Sequence, residues 1–317
     1  MTKLQVGIPC PSDRPDMESV ARGIAVLERA DCEVHLGAEL LSRPPRSSPY
    51  AREEERAAEL KAMMADPSLD VVWCADGGVG SYRLLPRMEE LYAACAQGTP
   101  LNPLIGFSDI TFLLWQAAKW GHFGYYGPTV ACGDDQDAED LEKAVLQLRG
   151  EKRTGLRQEY ADVVRPGTAK GMLLAGTFSV VSQILGTRYC PSLANSVLML
   201  EEHGWNTPGE HEYLFWFLMQ RIELAGSFDG VNGLAFGEVQ SEGPYAECNG
   251  PWMPFPDLYT IMEQGFPAGV PRRPLVAGLP WGRSKMGLLI PLGVQASLDV
   301  QDGVCDLQWE ETTTWSH

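Results

Sequence analysis

The chain has 317 residues, 44% of them hydrophobic, and a formal net charge of −17. That length and apolar content are enough for a large core shared between two domains. The acidic balance leaves no general basic surface for phosphates, so nucleic acid is excluded as the expected partner and a small molecule or peptide is favoured.

The first half alternates short β-rich runs with longer helical patterns. Residues 4–8 read as a strand, 17–30 as a helix presenting Val20, Ile24 and Leu27 on one face, and 32–36 as the next strand. A charged amphipathic helix is predicted over 52–64, a strand over 70–74, and a helix over 83–95 that tolerates Pro86 near its start. A strand over 104–107 then feeds a helix over 109–119. Strands separated by helices build a parallel sheet covered on both faces. In such sheets ligands gather beyond the C-terminal ends of the strands, where Gly77-Gly78 and Ser108 both fall.

A first domain is expected over 1–150 and a linker over 151–165, where a charged helix breaks at Gly155 and Arg165-Pro166-Gly167 marks a turn. The second domain, 166–317, holds the apolar run 172–174, a helix over 177–185 and a β-rich run at 196–200. An aromatic helix over 212–225 follows, with further strands to 307. The segment 243–256, with prolines and a tryptophan, reads as a long loop suited to covering a site.

Eight cysteines are scattered without a CxxC pair, and the five histidines (His35, His122, His203, His211, His317) lack a paired-ligand spacing. No metal, no cofactor and no disulfide framework is expected, and the cysteines read as buried thiols. The N-terminus reaches Pro9 and charged residues too early for a signal peptide, and no run approaches the roughly 20 apolar residues of a membrane span. The expectation is a cytoplasmic protein that does not engage a membrane.

The segment Asn102 to Thr111 carries the most chemistry. It reads as a buried strand that breaks at Gly106 and restarts as a helix at Asp109, with Ser108 at the sharp turn between them. A serine held there has its hydroxyl pushed clear of the backbone, and the unpaired N–H groups of the new helix point into the same space. That geometry suits attack on a carbonyl. The plain alternative is that Ser108 merely caps the helix. The run Asp76-Gly77-Gly78-Val79-Gly80-Ser81 also has two readings, a tight turn or a backbone cradle for a ligand. It lacks the Gly-Lys-Ser/Thr ending of a phosphate loop and the spacing of a dinucleotide fingerprint, but it can supply an oxyanion hole beside Ser108.

These motifs together resemble the serine LD-carboxypeptidases that trim murein peptides and their relatives, the microcin-immunity peptidases. The resemblance runs nearly end to end, through Pro9-Cys10-Pro11-Ser12, Gly77-Gly78-Val79-Gly80-Ser81, Ile105-Gly106-Phe107-Ser108-Asp109-Ile110-Thr111 and Tyr125-Tyr126-Gly127-Pro128. It continues through Ala175-Gly176-Thr177, Val197-Leu198-Met199-Leu200-Glu201-Glu202 and Gly278-Leu279-Pro280-Trp281-Gly282. It implies a Rossmann-like α/β N-terminal domain with a parallel sheet, a smaller β-rich α/β C-terminal domain, a site between them, and a homodimer as the usual assembly. Carried over by position, Ser108 is the nucleophile, the backbone N–H groups of Gly78 and Asp109 form the oxyanion hole, and Glu201 orients the base.

The base itself departs from the family. Where the resemblance calls for a histidine after Gly282, this chain has Arg283, whose guanidinium stays protonated and offers no lone pair. In another serine hydrolase, loss of the histidine costs about 10⁶ in turnover. Either a different base substitutes, His203 or Lys285 being the candidates, or Arg283 pairs with Glu201 and clamps a substrate carboxylate. Thr177 stands where the family has an asparagine, and Phe215-Trp216 replace an acidic-arginine pair, so substrate contacts are expected to differ. Trp205 and Trp216 can line a more apolar pocket, although Tyr213, Phe215, Trp216 and Phe217 read by default as core packing.

The leading expectation is a serine-type, carboxypeptidase-like hydrolase acting on an amide, ester or related acyl group of a small peptide-like or amino-acid-derived substrate. Murein tetrapeptide is the family default, and the altered site opens a specialised biosynthetic or detoxifying role. The competing expectation is a catalytically silent protein that binds a small carboxylate-bearing ligand.

Overall fold

The alternation read from the first half builds a six-stranded sheet in the order β12-β5-β4-β3-β1-β2. In chain order its elements are β1 (Leu4–Ile8), α1 (Met17–Arg29), β2 (Cys32–Leu36), α2 (Ala38–Ser42), α3 (Glu53–Ala65), β3 (Val71–Trp73), α4 (Leu85–Cys95), β4 (Leu104–Gly106), α5 (Thr111–Lys119), β5 (Gly124–Tyr126), α6 (Asp135–Leu148) and, much later, β12 (Ile290–Leu292). The computed structural model describes residues 3–42, 52–95, 100–150, 154–202, 220–221, 224–226, 230–239, 273–282 and 287–310. Among them the chain divides into two units, 1–152 with 286–293, and 153–285 with 294–317.

In the first unit β1 to β5 pair in parallel and β12 closes the edge antiparallel to β5, with Ile290 opposite Tyr126. The short strands β3, β4 and β5 are buried along their whole length, as a sheet with helices on both faces requires. The helices fall into two packing groups, α1 with α6 and α3 with α4 and α5. Helix α1 starts at Asp16, whose carboxylate accepts the Ser19 N–H at 2.9 Å, an N-cap of about 1 kcal/mol. Pro86 is accommodated because a 3-10 turn over Ser81–Leu84 precedes α4, placing the proline in the helix's first turn, where its missing N–H costs nothing.

The strand order reverses at β1: the chain moves from β1 outward to β2, then returns to place β3 on the other side of β1. At such a switch point the loops after β1 and β3 diverge and leave a crevice at the C-terminal edge. The Pro9-Cys10-Pro11-Ser12 loop, the glycine run after β3 and the Ser108 turn after β4 all lie at that edge.

The second unit holds an eight-stranded mixed sheet in the order β6-β14-β13-β8-β9-β10-β11-β7. Its elements are β6 (Gly155–Glu159), β7 (Asp162–Arg165), β8 (Gly167–Thr177), α7 (Phe178–Ile184), β9 (Ser196–Glu202), β10 (Val231–Val239), β11 (Leu275–Ala277), β13 (Gln295–Gln301) and β14 (Val304–Trp309). Strands β8 to β11 run parallel, and β7 and β13 flank them antiparallel. Phe178 and Phe236 meet edge to face at 6.3 Å in its core.

Two expectations about domain organisation give way here. The stretch 151–165, expected as a linker, contains β6 and β7, which pair with β14 and β11. Its breaker residues mark turns between strands. Residues 286–293, expected in the second domain, belong to the first unit through β12. Most of the expected aromatic helix over 212–225 and the loop 243–256 lie outside the described residues. Among the described residues no helix is long and apolar enough to cross a membrane. The seven described cysteines are all unbonded, and burial pushes the Cys32 and Cys132 thiols up to about 11 and Cys305 to about 12, which keeps them protonated and unreactive.

Candidate active site

Strand β4 ends at Gly106, Phe107 is extended, and Ser108 opens a 3-10 turn over Ser108–Ile110 that leads into α5. Ser108 has φ +56, a left-handed backbone that costs a non-glycine residue on the order of 1–2 kcal/mol. The turn is braced at both ends. The Ile110 N–H donates to the Phe107 carbonyl at 3.1 Å, and the Ser108 N–H donates to the hydroxyl oxygen of buried Tyr126 at 3.3 Å. The expected bend is therefore present, and it is a strained one: Ser108 is the first residue of the turn, whose N-cap position is Phe107.

The glycine run approaches from β3. A Cβ on Gly77 would lie 3.1 Å from the Ser108 Cβ and 3.5 Å from its Oγ, so a bare backbone is what permits this approach. Gly78 has φ +99, and a Cβ there would fall 2.6 Å from both Cβ and Oδ2 of Asp13. Among the described residues neither the Gly78 N–H nor the Asp109 N–H has an acceptor, while the Ser108 N–H is committed to Tyr126. The Ser108 hydroxyl likewise has no hydrogen-bond partner among the described residues.

A third loop completes the crevice. The Asp13 N–H donates to the Gly77 carbonyl at 3.2 Å and the Ala75 N–H to the Pro9 carbonyl at 2.9 Å, tying the loop after β1 to the loop after β3. Buried Arg56 of α3 donates from Nη1 to the Pro11 carbonyl at 2.7 Å. Asp109, only 4% exposed, accepts the Ser12 hydroxyl on Oδ2. The same oxygen takes the Ser81 N–H at 2.7 Å, and the Asp109 carbonyl accepts the Ser81 hydroxyl at 2.6 Å. Burial holds the Asp109 carboxyl above the usual carboxylate range against the opposing pull of those bonds, with the nearby charge of Asp13 adding to the rise. The Asp13 carboxylate itself has no hydrogen-bond or ion-pair partner among the described residues.

Beyond the glycine run, Arg83 and Arg87 both reach Glu53 of α3 at 2.8 Å. The Arg83 hydrogen bond holds the Glu53 carboxyl below its ordinary range. These pairs fix the exit of the run to α3.

In the second unit, β9 carries a fully buried apolar run that ends in two acids, Glu201 at 1% and Glu202 at 2% exposure. Successive strand residues face opposite sides, and the two find different partners. Glu201 lies opposite Thr177 in the β8–β9 register and accepts its hydroxyl on Oε1 at 2.7 Å. Glu202 accepts the Ser179 N–H at 2.6 Å in the first turn of α7. Thr177, read from sequence as a departure in substrate contact, thus binds the candidate carboxylate.

Arg283, His203 and Lys285 lie outside the described residues, as do Trp205, Tyr213, Phe215, Trp216 and Phe217. Ser108, Gly78 and Asp109 are brought together within the first unit, and Glu201 belongs to the second. Three residues given no role from sequence brace the Ser108 turn and its neighbours, Ser12, Ser81 and Tyr126, and in the second unit Thr177 does the same for Glu201. Their partners lie 97, 28, 18 and 24 positions away, beyond the reach of local patterning. Among the described residues no group of three or more His, Cys, Asp or Glu side chains is placed to hold a metal ion.

Comparison with known proteins gives this geometry its context. Residues 6–127 match the model of the LD-carboxypeptidase N-terminal domain and residues 170–298 that of the LD-carboxypeptidase C-terminal domain. A Synechocystis sp. protein provisionally named a carboxypeptidase is 29% identical over 251 residues, 79% of this chain and 77% of that one. A Bacillus subtilis protein provisionally named a murein peptide carboxypeptidase is 24% identical over 306 residues, 94% and 89% of the two chains. The fold is shared with a muramoyltetrapeptide carboxypeptidase from Oxalobacter formigenes (TM-score 0.76, 19% identity, 97% and 99% coverage). It is shared too with MccF in complex with glutamyl sulfamoyl guanosine (TM-score 0.76, 17% identity, 98% and 97% coverage).

Proposed function

Because the chain belongs to the LD-carboxypeptidase family, matched over both of its domains, we propose that it is a serine hydrolase acting on an acyl bond of a small peptide-like or amino-acid-derived substrate, with Ser108 as nucleophile. The observation that carries this reading is the left-handed Ser108 with Gly77 pressed against it and two uncommitted amides alongside. A backbone strained at one hydroxyl-bearing residue is stored where function needs it.

In the reaction, Ser108 Oγ attacks the acyl carbon as its proton leaves to a base. The carbonyl oxygen becomes an oxyanion that accepts the N–H groups of Gly78 and Asp109, a contribution worth about 100- to 1,000-fold per donor in a comparable site. Collapse expels the leaving group, which takes up a proton. Water then attacks the acyl-Ser108 ester, and the product acid departs with Ser108 Oγ reprotonated. Glu201 is assigned, from the family pattern, the part of orienting the cationic partner. Arg283 cannot accept the proton, so the transfer falls to His203 or Lys285, the latter only where burial lowers its pKa. The Bacillus subtilis relative is named for murein peptides and the MccF structure holds a glutamyl sulfamoyl nucleoside. Both chemistries contain an amino-acid-derived acyl group.

The second reading is a protein that binds a carboxylate-bearing ligand without hydrolysing it. The residue favouring it is Arg283 itself, which with Glu201 would form a charged fork in place of a His–Glu pair. A fluorophosphonate probe with intact-mass detection separates the two. Labelling that disappears in Ser108→Ala supports the hydrolase, whereas no acylation of the wild type by the probe or by a panel of activated acyl donors favours the binder.

A further inference from the structure

Asp109 is buried yet carries a carboxylate, and nothing in its own turn explains that. It stands in the first turn of the 3-10 helix, whose N-cap position is Phe107, and its carboxylate accepts from none of that turn's own amides among the described residues. Its oxygen instead goes to residues far away in sequence, the hydroxyl of Ser12 on the loop after β1 and the N–H of Ser81 at the end of the glycine run, while its carbonyl takes the Ser81 hydroxyl. One residue thereby joins all three loops at the switch point. The glycine run needs such an anchor. Gly78 and Gly80 both have positive φ, at +99 and +121, and glycine backbone has little stiffness of its own. From outside the run, the Asp13 N–H donates to the Gly77 carbonyl at one end and the Asp109 side chain accepts the Ser81 N–H at the other.

We propose that the Asp109 side chain is a positioning residue, clamping the glycine run against the Ser108 turn so that the Gly78 and Asp109 N–H groups converge on one point. This rests on the reading of Ser108 as nucleophile but concerns a different group, the carboxylate rather than the Asp109 amide. The carboxylate touches no reacting atom. It acts through Ser81 and Ser12, and its removal lets the run drift; a misplacement of about 1 Å costs on the order of 100-fold in rate.

The test compares Asp109→Ala and Asp109→Asn with the wild type in two measurements. The first is the kinetics of Ser108 acylation by a p-nitrophenyl ester, p-nitrophenolate leaving, resolved into a maximal rate and a half-saturating concentration. Asp109→Ala is expected to lower the maximal rate about 100-fold with half-saturation changed less than about threefold. Asp109→Asn is expected to recover to within about tenfold, because its amide oxygen, in the place of Oδ2, accepts from both the Ser81 N–H and the Ser12 hydroxyl. The second is amide hydrogen exchange of residues 77–81, expected to accelerate at least about tenfold in Asp109→Ala. Acylation of Asp109→Ala at the wild-type rate overturns the proposal, and so does unchanged exchange. Should the wild type itself resist labelling, the nucleophile reading falls and the exchange data alone decide the clamp. If Asp109→Ala does not fold, Asp109→Ser, whose shorter side chain falls short of the Ser81 N–H, takes its place in both measurements, and wild-type exchange and acylation in that variant also overturn it.

Discussion

The hydroxyl oxygen of Tyr126 accepts the amide N–H of Ser108 at 3.3 Å, reaching across from β5 to the turn that ends β4. One consequence is a division of labour among backbone donors: the Ser108 amide is spoken for, and those of Gly78 and Asp109 remain. Tyr126→Phe leaves the Ser108 N–H without that acceptor, at a cost of about 1–3 kcal/mol. A fall in thermal midpoint accompanied by at least about tenfold slower Ser108 acylation is expected by calorimetry and probe kinetics.

Ser108→Gly should separate stability from activity. Glycine adopts φ +56 without the Cβ penalty, so relief of on the order of 1 kcal/mol is expected, a rise of about 2–4 °C in midpoint. Acylation should vanish in the same protein. A lowered midpoint would show that the bend carries no strain.

Asp13 sets an unpartnered carboxylate against Gly78. Two unit negative charges at a separation of about 6 Å repel by on the order of 1–3 kcal/mol at an effective dielectric near 20 or above, so a carboxylate beside the glycine run opposes a developing oxyanion there. Asp13→Asn is therefore expected to accelerate acylation by a neutral activated ester about three- to tenfold, with the gain shrinking as ionic strength rises. Equal rates at low salt would remove the electrostatic role.

Asp109 also predicts a pH effect on stability. Burial raises its folded pKa above the unfolded value, so between those two values the native state binds more protons than the unfolded chain and stability falls as pH rises. Asp109→Asn removes that contribution. The expected outcome is that the wild type loses stability relative to Asp109→Asn on going upward from about pH 4, measured by urea unfolding across a pH series; parallel profiles would contradict it.

Thr177 holds Glu201 through one hydroxyl. Thr177→Val keeps the shape but removes a bond to a charged group, worth about 1.5–3 kcal/mol, while Thr177→Ser retains it. If Glu201 orients the proton-transfer partner, Thr177→Val lowers kcat about tenfold at constant KM and Thr177→Ser does not.

The strands 4–8 and 32–36 and the start of α1 were legible because each carries its own periodicity and cap. The Ser108 turn was legible for a related reason: strand, glycine, serine and helix follow one another within ten residues. The strands at 155–159 and 162–165 were not, since their partners β14 and β11 lie more than 100 residues further on and glycine and proline dominate the local signal. The same distance hid the Ser12–Asp109 bond. What local sequence encodes is a bend and a buried strand; which distant side chain braces them is settled by the order of strands.

Strand β12 belongs, by position, to the tail of the chain, and by hydrogen bonding to the edge of the first sheet. Gln147 reinforces its approach, accepting the Leu289 N–H at 3.0 Å and donating to the Leu289 carbonyl at 2.9 Å. During synthesis the outer side of β5 lacks this partner until residue 292 has left the ribosome, a window in which an exposed edge invites pairing with another nascent chain. A fragment cut at residue 150 inherits that bare edge permanently, so the first half of this protein should express as an aggregating species unless the octapeptide 286–293 is supplied to it.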